Sequence, residues 1–190
     1  MNKNIDGKII SKELYKELKD YLLSHKKMPT IVDISIGDDY GGLMYSKMKQ
    51  KKISQETGIG FESVHFDTIT YEELIEYIIS LNNNSSINGI MLQLPLPDYL
   101  KDKEREILDT IESKKDVDGL TTISSGNLAV GNDTFIPCTA LGIEVLLKSY
   151  DINLEGKNIA IINRSNIVGK PLALLMLKDN ATPVICHSKT

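Results

Sequence analysis

What this 190-residue chain lacks narrows its class before any motif does. No apolar run approaches the roughly 20 residues that span a bilayer. The start, Met1-Asn2-Lys3-Asn4-Ile5-Asp6, is polar and has no apolar signal core. A membrane partner and a secretory route are therefore not expected, and a cytoplasmic location is. The two cysteines, Cys138 and Cys186, lie far apart with no Cys-x-x-Cys pair, which suits a reducing compartment and no metal site. A net charge of -4 without a basic stripe argues against a nucleic-acid partner. Internal repeats are absent, and the one short polar tract is Asn82-Asn83-Asn84-Ser85-Ser86.

What is present reads as alternating strands and helices. With 41% hydrophobic residues, the chain can bury a core as one large domain or one and a half small ones. Ser11 is a candidate cap for a helix that turns Leu14, Leu18, Tyr21 and Leu22 to one face. Residues 30–36 alternate apolar and polar side chains and are rich in β-branched ones, so they read as a strand. Turn formers follow at residues 37–42, then a helix over 43–57 closed by Gly58. A second strand is expected at 61–66. Thr70-Tyr71-Glu72-Glu73 matches a capping box, with Leu74, Ile75, Ile78 and Ile79 behind it.

The organising stretch is Ile87-Asn88-Gly89-Ile90-Met91-Leu92-Gln93-Leu94-Pro95-Leu96-Pro97. An apolar run over 89–94 is stopped by two prolines, neither of which can donate to a ladder. Gln93 is the polar side chain at the carboxyl end of that strand, where ligands bind in open α/β sheets. The alternative is a core strand whose glutamine bonds a neighbouring loop. A charged helix over 104–111 and the tight turn Asp118-Gly119 come next. Residues 121–135 show no clear period and are expected to be loop. Residues 137–150 read as a helix with Thr139 near its cap and Leu141, Val145 and Leu146 inward.

A second β-α-β start then appears. Residues 157–162 read as a strand, 163–171 as a turn into a helix reaching Lys178, and 183–186 as a strand ending at His187-Ser188. A helix N-terminus placed this way suits phosphate. The Gly-x-Gly-x-x-Gly fingerprint is missing, and Gly169 alone stands in the turn. The fold class expected is α/β: an N-terminal substrate domain with a mostly parallel sheet over residues 1–138, then an incomplete Rossmann-like nucleotide domain over 139–190. A doubly wound domain needs more strands than two, so the chain reads as truncated, with an apolar face left bare.

Five motifs in order resemble the bifunctional methylenetetrahydrofolate dehydrogenase/cyclohydrolase family. They are Gly37 with Tyr45-x-x-x-Lys49, the Asn88 to Pro97 string, Lys115-Asp116-Val117-Asp118-Gly119, Pro137-Cys138-Thr139, and Arg164-Ser165-Asn166-Ile167-Val168-Gly169-Lys170-Pro171. The resemblance implies Lys49, Tyr45, Gln93 and Asp118 as the catalytic set, with folate bound by these residues and by Leu94 and Pro95. Lys49 and Tyr45, four apart, fall on one helical face; as one of a basic run with Lys47, Lys51 and Lys52, Lys49 is otherwise a solvated charge. A carboxylate such as Asp118 can accept paired hydrogen bonds from an amino-pyrimidine edge; the plain reading is a turn aspartate before glycine. The family implies NADP, with NAD as the competing cofactor, held by Asn163, Arg164, Ser165, Ile167, Val168, Gly169, His187 and Ser188. It also implies a homodimer. Cys138 is expected as a small buried hydrophobe rather than a nucleophile.

Three positions depart from the family pattern. Asn163 replaces a glycine, Ala140 a proline and Ser124 an asparagine, and the segment from Lys49 to Gly58 is one residue longer. Two other readings stay open. One is a non-catalytic folate-binding module. The other is a two-domain dehydrogenase of the shikimate type, against which the Gln93-Leu94-Pro95-Leu96-Pro97 string argues.

Overall fold

A computed structural model describes residues 4–26, 28–37 and 40–190, without the side chains of residues 40–43, 45 and 47. The chain divides into two compact units, Lys12–Val117 and Asp118–Thr190, the latter joined by Met1–Ser11. The expected boundary after residue 138 falls inside the second unit. Residues 118–137 join that unit because Leu128 and Ile136 pack on its core.

Helix α1, Gly7–His25, starts four residues before the expected Ser11 cap. Asp6 does the capping, its Oδ1 accepting the Lys8 N–H at 2.9 Å. Of the four residues expected inward, only Leu22 is buried, while Leu14, Leu18 and Tyr21 are exposed.

The Lys12–Val117 unit is built on a three-stranded parallel sheet ordered β2-β1-β3. Its strands are β1, Thr30–Ile36; β2, Gly60–Phe66; and β3, Gly89–Leu92. Helix α2, Tyr40–Thr57, joins β1 to β2, and α3, Tyr71–Asn83, joins β2 to β3. Two short helices follow, α4 at Asp98–Lys101 and α5 at Glu104–Thr110. Gly58, at φ 84°, ends α2 as expected, and the Thr70–Glu73 capping box starts α3 with both reciprocal bonds made. Helix α2 opens at Tyr40 rather than residue 43, so Gly41 and Gly42 belong to its first turn; Asp38 and Asp39 of the expected turn lie outside the described residues.

As the central strand, β1 is buried on both faces from Val32 to Ile36. Its alternation therefore does not mark a wet face; it places Asp33 and Ser35 inside the protein. The core around it includes Val32, Ile34, Leu74, Ile78, Ile90 and Ile107. Strand β3 ends at Leu92, two residues short of expectation, because only the Gln93 N–H still reaches the neighbouring strand, at Ile34 O, 2.8 Å. Lys115 is buried and donates to the carbonyls of Leu81, Asn82 and Asn84, each at 2.8 Å, closing the C-terminal end of α3.

In the second unit, residues 121–135 are not all loop: Thr122–Val130 forms helix α6. Thr121 caps it by accepting the Ser124 N–H, and Gly131 ends it at φ 80°. Nine residues are too few to show a period, so these end signals were the readable ones. Helix α7, Cys138–Ser149, is turned differently from expectation. Ala140, Ile143 and Leu147 meet the core, and Leu141 is exposed. Strand β4, Asn158–Ile161, helix α8, Gly169–Lys178, and strand β5, Thr182–Ile185, complete a parallel β-α-β unit. Its core gathers Leu154, Ile161, Leu172, Leu175 and Met176.

Candidate active site

In the Lys12–Val117 unit, parallel pairing brings the residues after β1 and β3 to one end of the sheet. Gly37 and Gln93 stand there, the position where open α/β sheets hold ligands. Gly37 adopts φ 83° with Pro97 Cγ 3.1 Å from where a Cβ would lie, so the turn after β1 and the Pro95–Pro97 segment are packed together. Gln93 and Leu94 are half-buried and Pro95 is exposed.

Behind Gln93 lies a residue the sequence reading did not single out. Asp33, in mid-β1, is 0% exposed. Its Oδ1 accepts from Gln93 Nε2, and its Oδ2 accepts from the hydroxyl of Ser46 on α2. Ser46 Oγ also lies 3.3 Å from Ser63 Oγ on β2. A carboxylate withdrawn from water needs such donors. The one sequence signal was an acid flanked by Val32 and Ile34; that β1 is central, and so buried on both faces, comes from the topology.

Lys49 is half-buried on α2, three residues after Ser46. Tyr45 lies in the same helix, one turn before Lys49, and its side chain is outside the described residues. Gln50, four residues after Ser46, donates from Nε2 to Phe61 O at 3.0 Å, so α2 is tied to both β1 and β2 by this face.

In the second unit, Asp118 and Cys138 are brought together: Cys138 Sγ donates to Asp118 Oδ1 at 3.5 Å. Cys138 is exposed rather than buried, because it opens α7. Gly119, at φ 66°, has Phe135 O 2.6 Å from its missing Cβ, so no other residue fits this turn.

The 163–169 turn leads from β4 into α8. Asn163 Oδ1 accepts the N–H groups of Ser165 at 2.8 Å and Gly169 at 3.1 Å, and Ser165 Oγ accepts the Val168 N–H at 3.1 Å. The asparagine that stands for the family's glycine is thus folded inward as a staple of the turn. Asn163 O would lie 2.1 Å from a Cβ at Gly169, which makes glycine obligatory there. Arg164 and Ile167 are exposed, and Val168 is half-buried. At the end of β5, His187 Nδ1 accepts the Lys189 N–H at 3.1 Å, so in its neutral form Nε2 carries the proton; Ser188 is exposed. A glycine-opened helix with an exposed arginine in its approach is a donor set that fits a dinucleotide's phosphates.

A cavity of about 630 Å³, between the end of α6 and α8, is lined by Leu128, Val130, Ile136, Leu174, Leu177 and Lys178. It holds none of the residues above and takes no part in this site.

A parallel sheet with polar groups past its carboxyl ends in one unit, and a β-α-β segment with a glycine-opened helix in the other, are the parts expected of a nucleotide-dependent enzyme with its own substrate unit. The profile described as tetrahydrofolate dehydrogenase/cyclohydrolase, catalytic domain, matches residues 5–118, and that of the NAD(P)-binding domain matches residues 137–190. The chain is 44% identical to the bifunctional protein FolD of Clostridium acetobutylicum over 191 residues, covering 98% of this chain and 68% of that protein. The crystal structure of the bifunctional FolD methylenetetrahydrofolate dehydrogenase/cyclohydrolase of Campylobacter jejuni superimposes with TM-score 0.89 at 43% identity, over 98% of this chain and 67% of that one. The Trypanosoma brucei enzyme complexed with NADP and inhibitor superimposes with TM-score 0.89 at 29% identity, over 98% and 64%. The chain belongs to the tetrahydrofolate dehydrogenase/cyclohydrolase family and spans about two thirds of the length of these relatives. That membership disfavours the shikimate-type reading.

Proposed function

We propose that this chain oxidises 5,10-methylenetetrahydrofolate with NADP and hydrolyses 5,10-methenyltetrahydrofolate to 10-formyltetrahydrofolate. The observation that carries the reading is Gln93, held half-buried just past the carboxyl end of β3 in a chain matched to this family along both units. Residues 1–138 supply the folate site and residues 139–190 the start of the nucleotide domain.

Lys49 brings an ammonium to the reacting centre and passes protons as water adds to the methenyl carbon and a C–N bond opens. Tyr45, one helical turn away, packs on the folate, as do Leu94 and Pro95. Gln93 orients Lys49 and the substrate, and Asp118 accepts hydrogen bonds from the pterin's amino-pyrimidine edge. NADP, when bound, accepts the hydride. Arg164 and Ser165 hold its phosphates at the opening of α8, flanked by Asn163, Ile167, Val168 and Gly169. His187 and Ser188 meet the ribose end, where the imidazole N–H and the hydroxyl are donors that suit the 2′-phosphate of NADP over NAD. The reading implies a cytoplasmic homodimer with no nucleic-acid or membrane partner. The acidic balance supports the exclusion of nucleic acid, and no helix among the described residues is long and apolar enough to cross a membrane.

The deciding experiment is hydrolysis of methenyltetrahydrofolate, followed optically, by the 190-residue chain and its Lys49→Met variant. The expected result is hydrolysis that falls roughly 100-fold or more in the variant, the usual range for loss of a proton-transfer group. Unchanged turnover in Lys49→Met removes Lys49 from the mechanism. Folate binding without hydrolysis in the parent makes the chain a binding module.

A further inference from the structure

The geometry points to Asp33 as a positioning residue that sets which face of the Gln93 amide meets the folate site, an inference that rests on the function proposed above. Asp33 is 0% exposed in the central strand, and both of its carboxylate oxygens are engaged, one by Gln93 Nε2 and the other by Ser46. A carboxylate accepts and does not donate, so the Gln93 amide can meet it only through its NH₂ group. The amide oxygen of Gln93 is thereby turned away from Asp33. An acceptor in that position suits an ammonium or a substrate N–H, which is what Lys49 or a pterin would offer.

The same carboxylate fixes α2 through Ser46, three residues before Lys49. Asp33 thus links the two elements that carry Gln93 and Lys49 without being placed to touch substrate. An apolar residue would satisfy the strand's burial equally well, so packing alone does not call for an acid here. Two donors of different elements converging on one buried acid are accounted for by orientation.

The test is a double-mutant cycle on folate turnover with Asp33→Leu, Gln93→Leu and the pair, alongside Asp33→Asn. If Asp33 acts through Gln93, each leucine variant loses roughly tenfold or more, and the pair loses no more than Gln93→Leu alone. Asp33→Asn stays within about threefold of the parent, because an asparagine can accept from Gln93 and donate to the Ser46 hydroxyl. Multiplying losses, or full turnover in Asp33→Leu, overturns the inference. Should Asp33→Leu fail to fold, hydrogen exchange of the Gln93 side-chain NH₂ in the parent decides it, with exposed Gln55 as reference. Protection of roughly tenfold or more over Gln55 is expected for a buried donor bonded to a carboxylate, and equal rates overturn it. A parent that neither binds nor turns over folate defeats the proposed function, while the exchange measurement still decides whether Asp33 holds Gln93.

Discussion

The two parallel sheets of this chain are made of similar short strands and end up in opposite circumstances. In the first, β3 is buried at all four positions and the central β1 at five of seven, while the edge strand β2 buries only Phe61. In the second, β4 buries only Ile161 and β5 buries none, with Val184 52% exposed. Both sheets hold candidate functional groups, so burial changes how such groups are held in place. The first sheet fixes half-buried Gln93 by a side-chain bond to the fully buried Asp33, which Ser46 also holds. The open sheet fixes its turn by folding the chain on itself, through Asn163, Ser165 and Gly169. The first kind of site depends on its core, the second on local backbone shape.

The largest expected effect breaks the comparison at its core. Ile34, 0% exposed in β1, shortened to alanine should destabilise its unit by about 4 kcal/mol through lost burial and a cavity. Val184→Ala, at the exposed β5 position, should change stability by about 0.5 kcal/mol or less. Urea unfolding followed by circular dichroism measures both. Comparable losses would mean that β5 is covered in solution and that the contrast between the sheets is false.

A second substitution tests the local kind of site. Gly169→Ala places a methyl against Asn163 O, with no flexible side chain to yield. The turn must move, at a cost of about 2–3 kcal/mol to its unit. Calorimetric NADP affinity should fall with it, while Lys49 and Gln93 in the Lys12–Val117 unit keep their own geometry. A variant with parental NADP affinity would show that the 163–169 turn does not hold the phosphates.

These contrasts also mark what was legible in the sequence. β1 was readable from its β-branched alternation, the Thr70–Glu73 box from its spacing, and the end of α2 from Gly58, because each signal is local. Asp33 was hidden because alternation says that a strand has two faces, and only topology says that both are buried. Helix α6 was hidden because nine residues show no period. The rotation of α7 followed from a core that includes Ile143 and Leu147, which sequence spacing could not weigh against Leu141 and Val145. Gln93, Asp118 and the 163–169 turn were found as motifs, since prolines and glycines mark backbone that cannot change, whereas the partners of those residues lie far along the chain.

The smallest effects separate the units by pH. In the first unit, Glu73 is held below the usual carboxylate value of 4.5, chiefly by the Thr70 N–H and then by its hydroxyl. A lowered acid stabilises the fold above its unfolded value and loses that contribution as pH falls through the folded one. In the second unit, Lys148 on α7 is raised above 10.5, chiefly by its bond to Glu144 and then by Asp179 after α8, at 2.5 and 2.9 Å. A raised base contributes fully below 10.5 and loses that contribution as pH climbs through the folded value. The Lys148 side chain is 53% exposed, so its tie contributes about 1 kcal/mol or less. Acid should therefore weaken the α3 cap and alkali the α7–α8 tie. Melting curves of Glu73→Gln and Lys148→Met against the parent measure this: the first difference should start to shrink below pH 4.5 and the second above pH 10.5, each vanishing once pH has passed the folded-state value. If the Lys148→Met difference persists unchanged at high pH, packing of the lysine's methylenes, not its charge, joins the two helices.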